Sequence, residues 1–300
     1  MLDLDESRTG VPTRDAATLV LVRNATASEG GIEVFCVERN KKSRFLGGAV
    51  VFPGGAVDPS DRDPVFAGHT DPWTASPRAR ALADDADALR ALYVAACRES
   101  LEEAAIVPSR GVPLDHDQAV LLRHALVKEA RPFADVLRSR GLTIDASLLV
   151  PFARWVTPIA EARRFDARFF LAALPEGQEG VHDEHETTAS FWASPSELLR
   201  RFDAEEIVLA PPTHRTLELL VGRADVDDAL AFAHGSDLSI ILPKMVRVTT
   251  ENGRVDETTV ALVLPGDPDH DVATSRIPGL SRYVLRGKRF VPEAAPSRRA

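Results

Sequence analysis

Two cysteines in 300 residues, Cys36 and Cys97, leave no material for a disulfide framework. One sits in an apolar strand pattern and the other on the apolar side of a helical stretch, so each reads as a small buried hydrophobe. No apolar run approaches the length of a membrane span, and Met1 to Arg14 is polar and acidic without the apolar core of a signal segment. No long lysine and arginine block occurs, and the formal charge is −9. A nucleic-acid polymer or an anionic membrane, each of which needs many phosphates neutralised, is therefore excluded as a general partner. No internal repeat is evident. These absences leave a cytoplasmic globular protein, and 44% hydrophobic with 27% charged residues supports a sizeable core in one large domain or two modest ones.

The stretch Arg98-Glu99-Ser100-Leu101-Glu102-Glu103 carries the most chemistry. At about 100° per residue, Glu99, Glu102 and Glu103 share one side of a helix, while Val94, Cys97, Leu101, Ala104 and Ala105 share the other. Carboxylates this close repel one another, and hard cations that prefer oxygen ligands relieve the repulsion. An acidic stripe alone is more often a solvated helix face. The difference lies upstream, in Val50-Val51-Phe52-Pro53-Gly54-Gly55-Ala56-Val57-Asp58, a strand pattern ending in a glycine turn that can bring backbone close to a ligand.

Strand, glycine turn and acidic helix together resemble the signature of the Nudix hydrolase family: Gly, five residues, Glu, seven residues, Arg-Glu, an apolar residue, any residue, Glu-Glu, any residue, Gly, an apolar residue. Gly55 matches the opening glycine, Arg98-Glu99 and Glu102-Glu103 the charged pairs, and Ile106 the closing apolar position. Arg98 follows Gly55 by 43 positions where the pattern takes 14, an insertion of 29 residues. The proline-rich segment Asp61 to Ala86 reads as that excursion, with Asp61 standing where the first family glutamate falls. Ser100 replaces the usual apolar residue and Ala105 the usual glycine. The Phe-Pro-Gly-Gly-x-Val-Asp-x-x-Asp run resembles a subgroup related to peroxisomal coenzyme A diphosphatases, although Ser297-Arg298-Arg299-Ala300 is not the usual peroxisomal tripeptide.

The resemblance implies an α+β Nudix fold, a mixed sheet sandwiched between helices, with a helical insertion at 61–86. The expected organisation is a flexible N-terminus at 1–14, the Nudix domain at 15–235 and a β-rich extension at 236–300 packed on the core. Ala16 to Arg23 and Gly31 to Glu38 read as a strand hairpin, and Asp115 to Arg140 as two helices broken at Pro132. Ala153 to Thr157 and Arg164 to Ala172 resume strand character. Leu198 to Arg201 and Thr216 to Val221 read as helices around a bend at Leu209 to Thr213, with Thr213 as N-cap. Leu238 to Thr250, a turn at Asn252-Gly253 and Val255 to Leu264 read as a hairpin, and Tyr283 to Val291 as one more strand.

The activity implied is metal-dependent hydrolysis of a phosphoanhydride in a nucleoside diphosphate linked to another group, first coenzyme A or acyl-coenzyme A, then nucleotide sugars or dinucleotides. Glu99, Glu102, Glu103 and Gly55 are the metal site expected for Mg²⁺ or Mn²⁺, with Arg98 orienting the carboxylates. Glu186, in an acidic loop with His182, Asp183, Glu184 and His185, is a further base or ligand candidate; the histidines read as surface residues. Gly54, Gly55, Arg39, Arg44, Trp155 and Arg164 are the substrate-contact candidates, the basic stretch Arg39 to Arg44 also reading as a solvated loop and the aromatics as core. The partner is a small-molecule diphosphate, and a homodimer is compatible. A Nudix-fold module that binds a nucleotide without hydrolysing it is the alternative, since fold alone does not dictate activity.

Overall fold

The computed structural model describes residues 4–5, 7–26, 30–40, 48–68, 77–181, 187–249 and 255–295. Strands β1 (Arg14–Asn24) and β2 (Ile32–Arg39) pair antiparallel through Val22↔Val34. In β1, Leu19, Val20, Leu21 and Val22 are all fully buried, as a central strand covered on both faces requires. Strands β3 (Ala49–Val51) and β4 (Gly54–Ala56) wedge between them. β3 pairs with β2 through Val37↔Val51 and β4 with β1 through Thr18↔Gly54, while Leu19 N–H donates to Pro53 O at 2.9 Å. The Phe52-Pro53 corner therefore hands the chain from one strand to the other and sets the glycine pair at the splay.

The insertion begins with 3₁₀ turns at Pro59–Arg62 and Pro64–Gly68 and returns through the short helix α1 (Pro77–Arg80). The described ends of this excursion are part of the core. Phe66 and Leu82 are buried, with Phe66 6.0 Å from Phe133 between ring centroids. Arg78 donates to the carbonyls of Pro151, Ala233 and Ser236. Helix α2 (Ala86–Ala104) follows, N-capped by Asp85, whose side chain accepts from Ala88 N–H. Its apolar side, Val94, Cys97, Leu101 and Ala104, is fully buried. Ser100 and Glu103 are buried too, so the acidic side is covered rather than a bare solvent face. Burial pushes both cysteine thiols above their ordinary range, which keeps them protonated and inert.

Strands β5 (Ser109–Arg110) and β6 (Thr143–Ile144) form a small ladder around helices α3 (His116–Val127) and α4 (Phe133–Arg138), with Pro132 at the start of α4. Strands β7 (Val150–Val156) and β8 (Phe165–Ala173) extend the main sheet, β8 lying parallel to β1 over Arg14↔Phe165 to Val22↔Ala173. Strand β9 (Thr187–Ala193) pairs with β2. Helix α5 (Pro195–Asp203), strand β10 (Val208–Leu209), helix α6 (Pro211–Leu220) and helix α7 (Val226–His234) complete this part. The eight-stranded sheet runs β10-β3-β2-β1-β8-β7, with β4 on β1 and β9 on β2. One face packs on α1 to α4 and the other on α5 to α7, the layered arrangement expected. Thr213 is inside α6 rather than its N-cap, because Pro211 and Pro212 already satisfy the first helical positions.

Strands β11 (Lys244–Thr249), β12 (Val255–Val263), β13 (Arg282–Arg286) and β14 (Arg289–Glu293) form a separate meander. The turn residues Asn252 and Gly253 lie outside the described residues. Tyr283 to Val291, expected as one strand, is a hairpin folded at Gly287-Lys288, with Arg286↔Arg289 closing the turn. Leu262, Leu264, Tyr283 and Phe290 pack into the same cluster as α5 and α6. Arg215 of α6, 1% exposed, donates to the carbonyls of Pro278 and Leu280 and stands over the Tyr283 ring. At the other end, Leu4 bridges to Glu161 and Asp5 N–H donates to Ala160 O. Among the described residues no helix is long and apolar enough to cross a membrane.

Ala105 closes α2 with φ 53° and Ala130 sits after α3 with φ 52°, left-handed backbone that glycine adopts without steric cost. Ala130→Gly, at an exposed position, is expected to stabilise the protein by about 0.5–1 kcal/mol in urea melts. Ala105→Gly is expected to gain less, because it also removes a fully buried methyl.

Candidate functional site

Arg98 occupies the centre of the acidic cluster. Nε donates to Asp61 Oδ1 at 2.8 Å and Nη2 to Asp61 Oδ2 at 2.9 Å, a bidentate pair with Asp61 only 1% exposed. Nη2 also donates to Ala56 O at 3.1 Å. Nη1 faces the other way, to Glu99 Oε1 at 2.9 Å and to both oxygens of Glu102 at 3.3 Å. One guanidinium thus ties together the 3₁₀ turn after the glycine loop, strand β4 and two carboxylates of α2. The surrounding negative charge raises the guanidinium above its ordinary range despite burial, so it is a permanent cation here.

The glycine pair closes over the same carboxylates. A Cβ on Gly55 would stand 2.4 Å from Glu99 Oε1, and one on Gly54 would stand 2.5 Å from Ala17 O. At Gly54, against backbone, only hydrogen fits; at Gly55 a side chain would displace the Glu99 carboxylate. Gly54 N–H donates to Glu103 Oε2 at 3.0 Å, which fixes that side chain beneath the turn. Burial pushes the Glu99 carboxyl up to about 7, against the pull of Arg98 and with help from Glu102 and Asp61. Glu102 is the most open of the three, with its side chain 30% exposed against 14% for Glu99.

As a donor set these groups suit a hard cation, being carboxylate oxygens with a backbone turn close by. Among the described residues no three acidic, imidazole or thiolate groups already converge as a finished cage. The Arg98 guanidinium stands between Asp61 on one side and Glu99 and Glu102 on the other. The desolvated Glu99 beside the more open Glu102 leaves negative charge in excess of Arg98, and that excess fits a cation.

Glu99, Glu102, Glu103, Arg98, Gly54 and Gly55 are therefore brought together. Arg44 and Glu186 lie outside the described residues, as do His182, Asp183, Glu184 and His185. Arg39 closes β2, where its carbonyl accepts from Gly48 N–H and its buried Nε lacks a partner among the described residues. Two of the substrate-contact candidates stand apart from this cluster. Trp155 is 3% exposed and packs in the cluster on the sheet face opposite α2, as strand parity requires, while its backbone bridges to Ile241. Arg164 is tied to the carbonyls of Thr157, Pro158 and Val11, where it pins the N-terminal segment. Arg123 and Asp58 also reach the site. Arg123 of α3 donates from Nε to Glu102 O at 2.8 Å, and Asp58 caps the 3₁₀ turn that carries Asp61. The Asp58-x-x-Asp61 spacing was a readable capping signal; nothing local marks Arg123.

The family model described as the NUDT19 Nudix domain matches residues 13–220, which takes in both halves of the interrupted motif and ends before β11. The chain is similar to the acyl-coenzyme A diphosphatase NUDT19 of Gallus gallus, 26% identical over 309 residues, covering 86% of this chain and 81% of that protein. It is similar to the Homo sapiens protein of the same name, 27% identical over 277 residues, covering 79% and 72%. Among solved structures, a Nudix hydrolase from Alicyclobacillus acidocaldarius superposes with a TM-score of 0.61 at 33% identity, covering 74% of this chain and 96% of that one.

Asp61→Asn leaves Arg98 with a neutral partner in a buried position, and is expected to lower stability by about 3 kcal/mol in denaturant melts. Arg62→Ala, which removes only an exposed ion pair to Asp15, is expected to cost well under about 1 kcal/mol. Equal losses for the two would show that Arg98 does not depend on Asp61.

Proposed function

Because the chain belongs to the Nudix hydrolase family, we propose that it is a divalent-metal-dependent diphosphatase whose substrate is an acyl-coenzyme A or coenzyme A, with Glu99, Glu102 and Glu103 as metal ligands. The gathering of three carboxylates and one guanidinium under the Gly54-Gly55 turn carries this reading. The names of the chicken and human relatives support the substrate class.

Bound Mg²⁺ or Mn²⁺ supplies neutralisation of the diphosphate oxygens and lowers the pKa of a water. The chain's own residues do the rest. Arg98, held by Asp61, keeps Glu99 and Glu102 from turning away into solvent. The bare Gly55 lets the Glu99 carboxylate lie directly against the backbone of the turn. Water oxygen bonds to one phosphorus, the anhydride P–O bond breaks, and two phosphomonoesters leave with one proton released. That proton goes to Glu186 or to one of the α2 glutamates. Arg39 would meet the phosphates from the end of β2.

Three outcomes check this. Incubation with acyl-coenzyme A, coenzyme A, nucleotide sugars and dinucleotides in the presence of Mg²⁺ or Mn²⁺, read by mass spectrometry, is expected to give two phosphomonoesters from the coenzyme A compounds first. Tight binding without any product would favour the non-hydrolytic module instead. Glu102→Gln is expected to lower kcat roughly 100-fold or more, a loss of several kcal/mol of transition-state stabilisation, with the thermal unfolding midpoint little changed.

The third outcome concerns pH. A Glu99 carboxyl raised to about 7 supports the metal-free fold while neutral, fully so below its ordinary 4.5, and that support is lost as pH rises through about 7. Above it, the buried carboxylate is a charge that Arg98, shared with Asp61 and Glu102, offsets only in part and that a cation offsets further. The rise in Tm on adding Mg²⁺ is accordingly expected to be larger at pH 8 than at pH 6. A shift equal at both pH values would remove Glu99 from the ligand set.

A further inference from the structure

The last turn of α2 carries Glu102 and Glu103, and its terminal carbonyls are satisfied from several directions. Ala105 N–H donates to Leu101 O at 3.1 Å and Ile106 N–H to Ser100 O at 3.4 Å, the usual local closure. Two further bonds come from distant chain. Arg123 Nε reaches Glu102 O at 2.8 Å, and Val181 N–H reaches Ala104 O at 2.7 Å. The closure itself is made by Ala105 at φ 53°, ψ 37°, a conformation that costs a residue with a side chain and persists only when the surroundings enforce it.

Gln178 supplies that enforcement. It is 5% exposed, accepts from Val107 N–H through Oε1 at 2.9 Å, and donates from Nε2 to Val107 O at 3.4 Å. Both backbone groups of the residue two positions past Ala105 are thus gripped by a single carboxamide. The segment around Gln178 is pressed against the same turn, since a Cβ on Gly180 would stand 2.9 Å from Ile106 Cδ1 and 2.6 Å from Phe35 Cε2. Trp192 Nε1 donates to Glu179 O at 2.8 Å and braces the segment from β9.

We propose that Gln178 is a positioning residue for the metal-binding carboxylates: by clamping Val107 it holds the strained Ala105 turn and so keeps Glu102 and Glu103 in register with the Gly54-Gly55 turn. The proposal rests on the metal-dependent diphosphatase reading, because it assigns Gln178 a consequence for that site. Gln178 touches no reacting atom in this account. It acts through the backbone, and its influence is strongest because alanine stands where a relaxed left-handed residue would need no clamp.

The test uses the full chain and two probes, Mn²⁺ alone, followed by the electron paramagnetic resonance signal of the free ion, and an acyl-coenzyme A for turnover. Gln178→Met keeps the length of the side chain and removes both hydrogen bonds. It is expected to weaken Mn²⁺ binding at least threefold and lower kcat at least tenfold, with KM changed less than twofold. Adding Ala105→Gly, which relaxes the turn, is expected to restore at least half of the logarithmic loss in both measurements. Ser194→Ala removes the N-cap of α5 on the opposite sheet face and is expected to leave Mn²⁺ binding and kcat within twofold of the parent at a similar thermal destabilisation. Should Gln178→Met not accumulate folded, Gln178→Glu, which keeps the acceptor and loses the donor, carries the same comparison with a smaller loss.

Mn²⁺ binding and kcat within twofold of the parent in the Gln178 variant, or no recovery with Ala105→Gly, overturns the positioning role while leaving the diphosphatase reading intact. A parent protein that neither binds Mn²⁺ nor cleaves a diphosphate overturns both.

Discussion

The guanidinium of Arg98 is the constraint on which the rest of the site depends. It is buried with Asp61, Glu99 and Glu102 about it, and a lone cation in that position would be costly without them. The carboxylates are no less dependent on Arg98. Removing it would leave mutually repelling negative charges under a glycine turn that approaches too closely for any side chain to intervene. The bidentate grip of Asp61 fixes the plane of the guanidinium, so Nη1 presents to α2 in one orientation. Strand β4, the 3₁₀ turn and the helix thereby become one unit even though the chain makes a long detour between them.

That detour explains how a split motif works. Asp61 and Arg98 stand 37 positions apart, yet the hydrogen bonds between them are as short as any in the site. The insertion leaves from the far end of the 3₁₀ turn and returns through Leu82 and, past the exposed start of α2, Leu89, both buried in the core. Arg78 ties it to the last turn of α7 and to β7. The described ends of the insertion pack beside the sheet without prising the carboxylates from the glycine turn. The C-terminal meander attaches on the opposite face, where Arg215 and Tyr283 join it to α6, and leaves the acidic cluster untouched.

Much of this was legible in the residues. The helical period of Val94, Cys97, Leu101 and Ala104 placed the glutamates opposite the core, and counting from Gly55 pointed to Asp61 as a carboxylate of interest. The strand, turn and helix order was readable from Phe52-Pro53-Gly54-Gly55. What escaped was tertiary. Arg123 and Gln178 meet α2 from outside its own segment, and neither carries a local signal. Trp155 kept two readings, core and substrate contact, because β7 is apolar on both faces and the direction of its ring depends on a sheet order that alternation alone does not reveal. Gly287-Lys288 marked a two-residue turn that a run of strand-forming residues concealed.

The central claim is that the carboxylates facing Arg98 take a divalent cation at the glycine turn. Crystals soaked in Mn²⁺ and measured for anomalous scattering test it most directly. The account predicts a strong anomalous peak against the Glu99 and Glu102 oxygens beside Gly55, with Arg98 still bound to Asp61. Full Mn²⁺ loading with no peak at that turn, or with the peak elsewhere and the carboxylates unmoved, would contradict it.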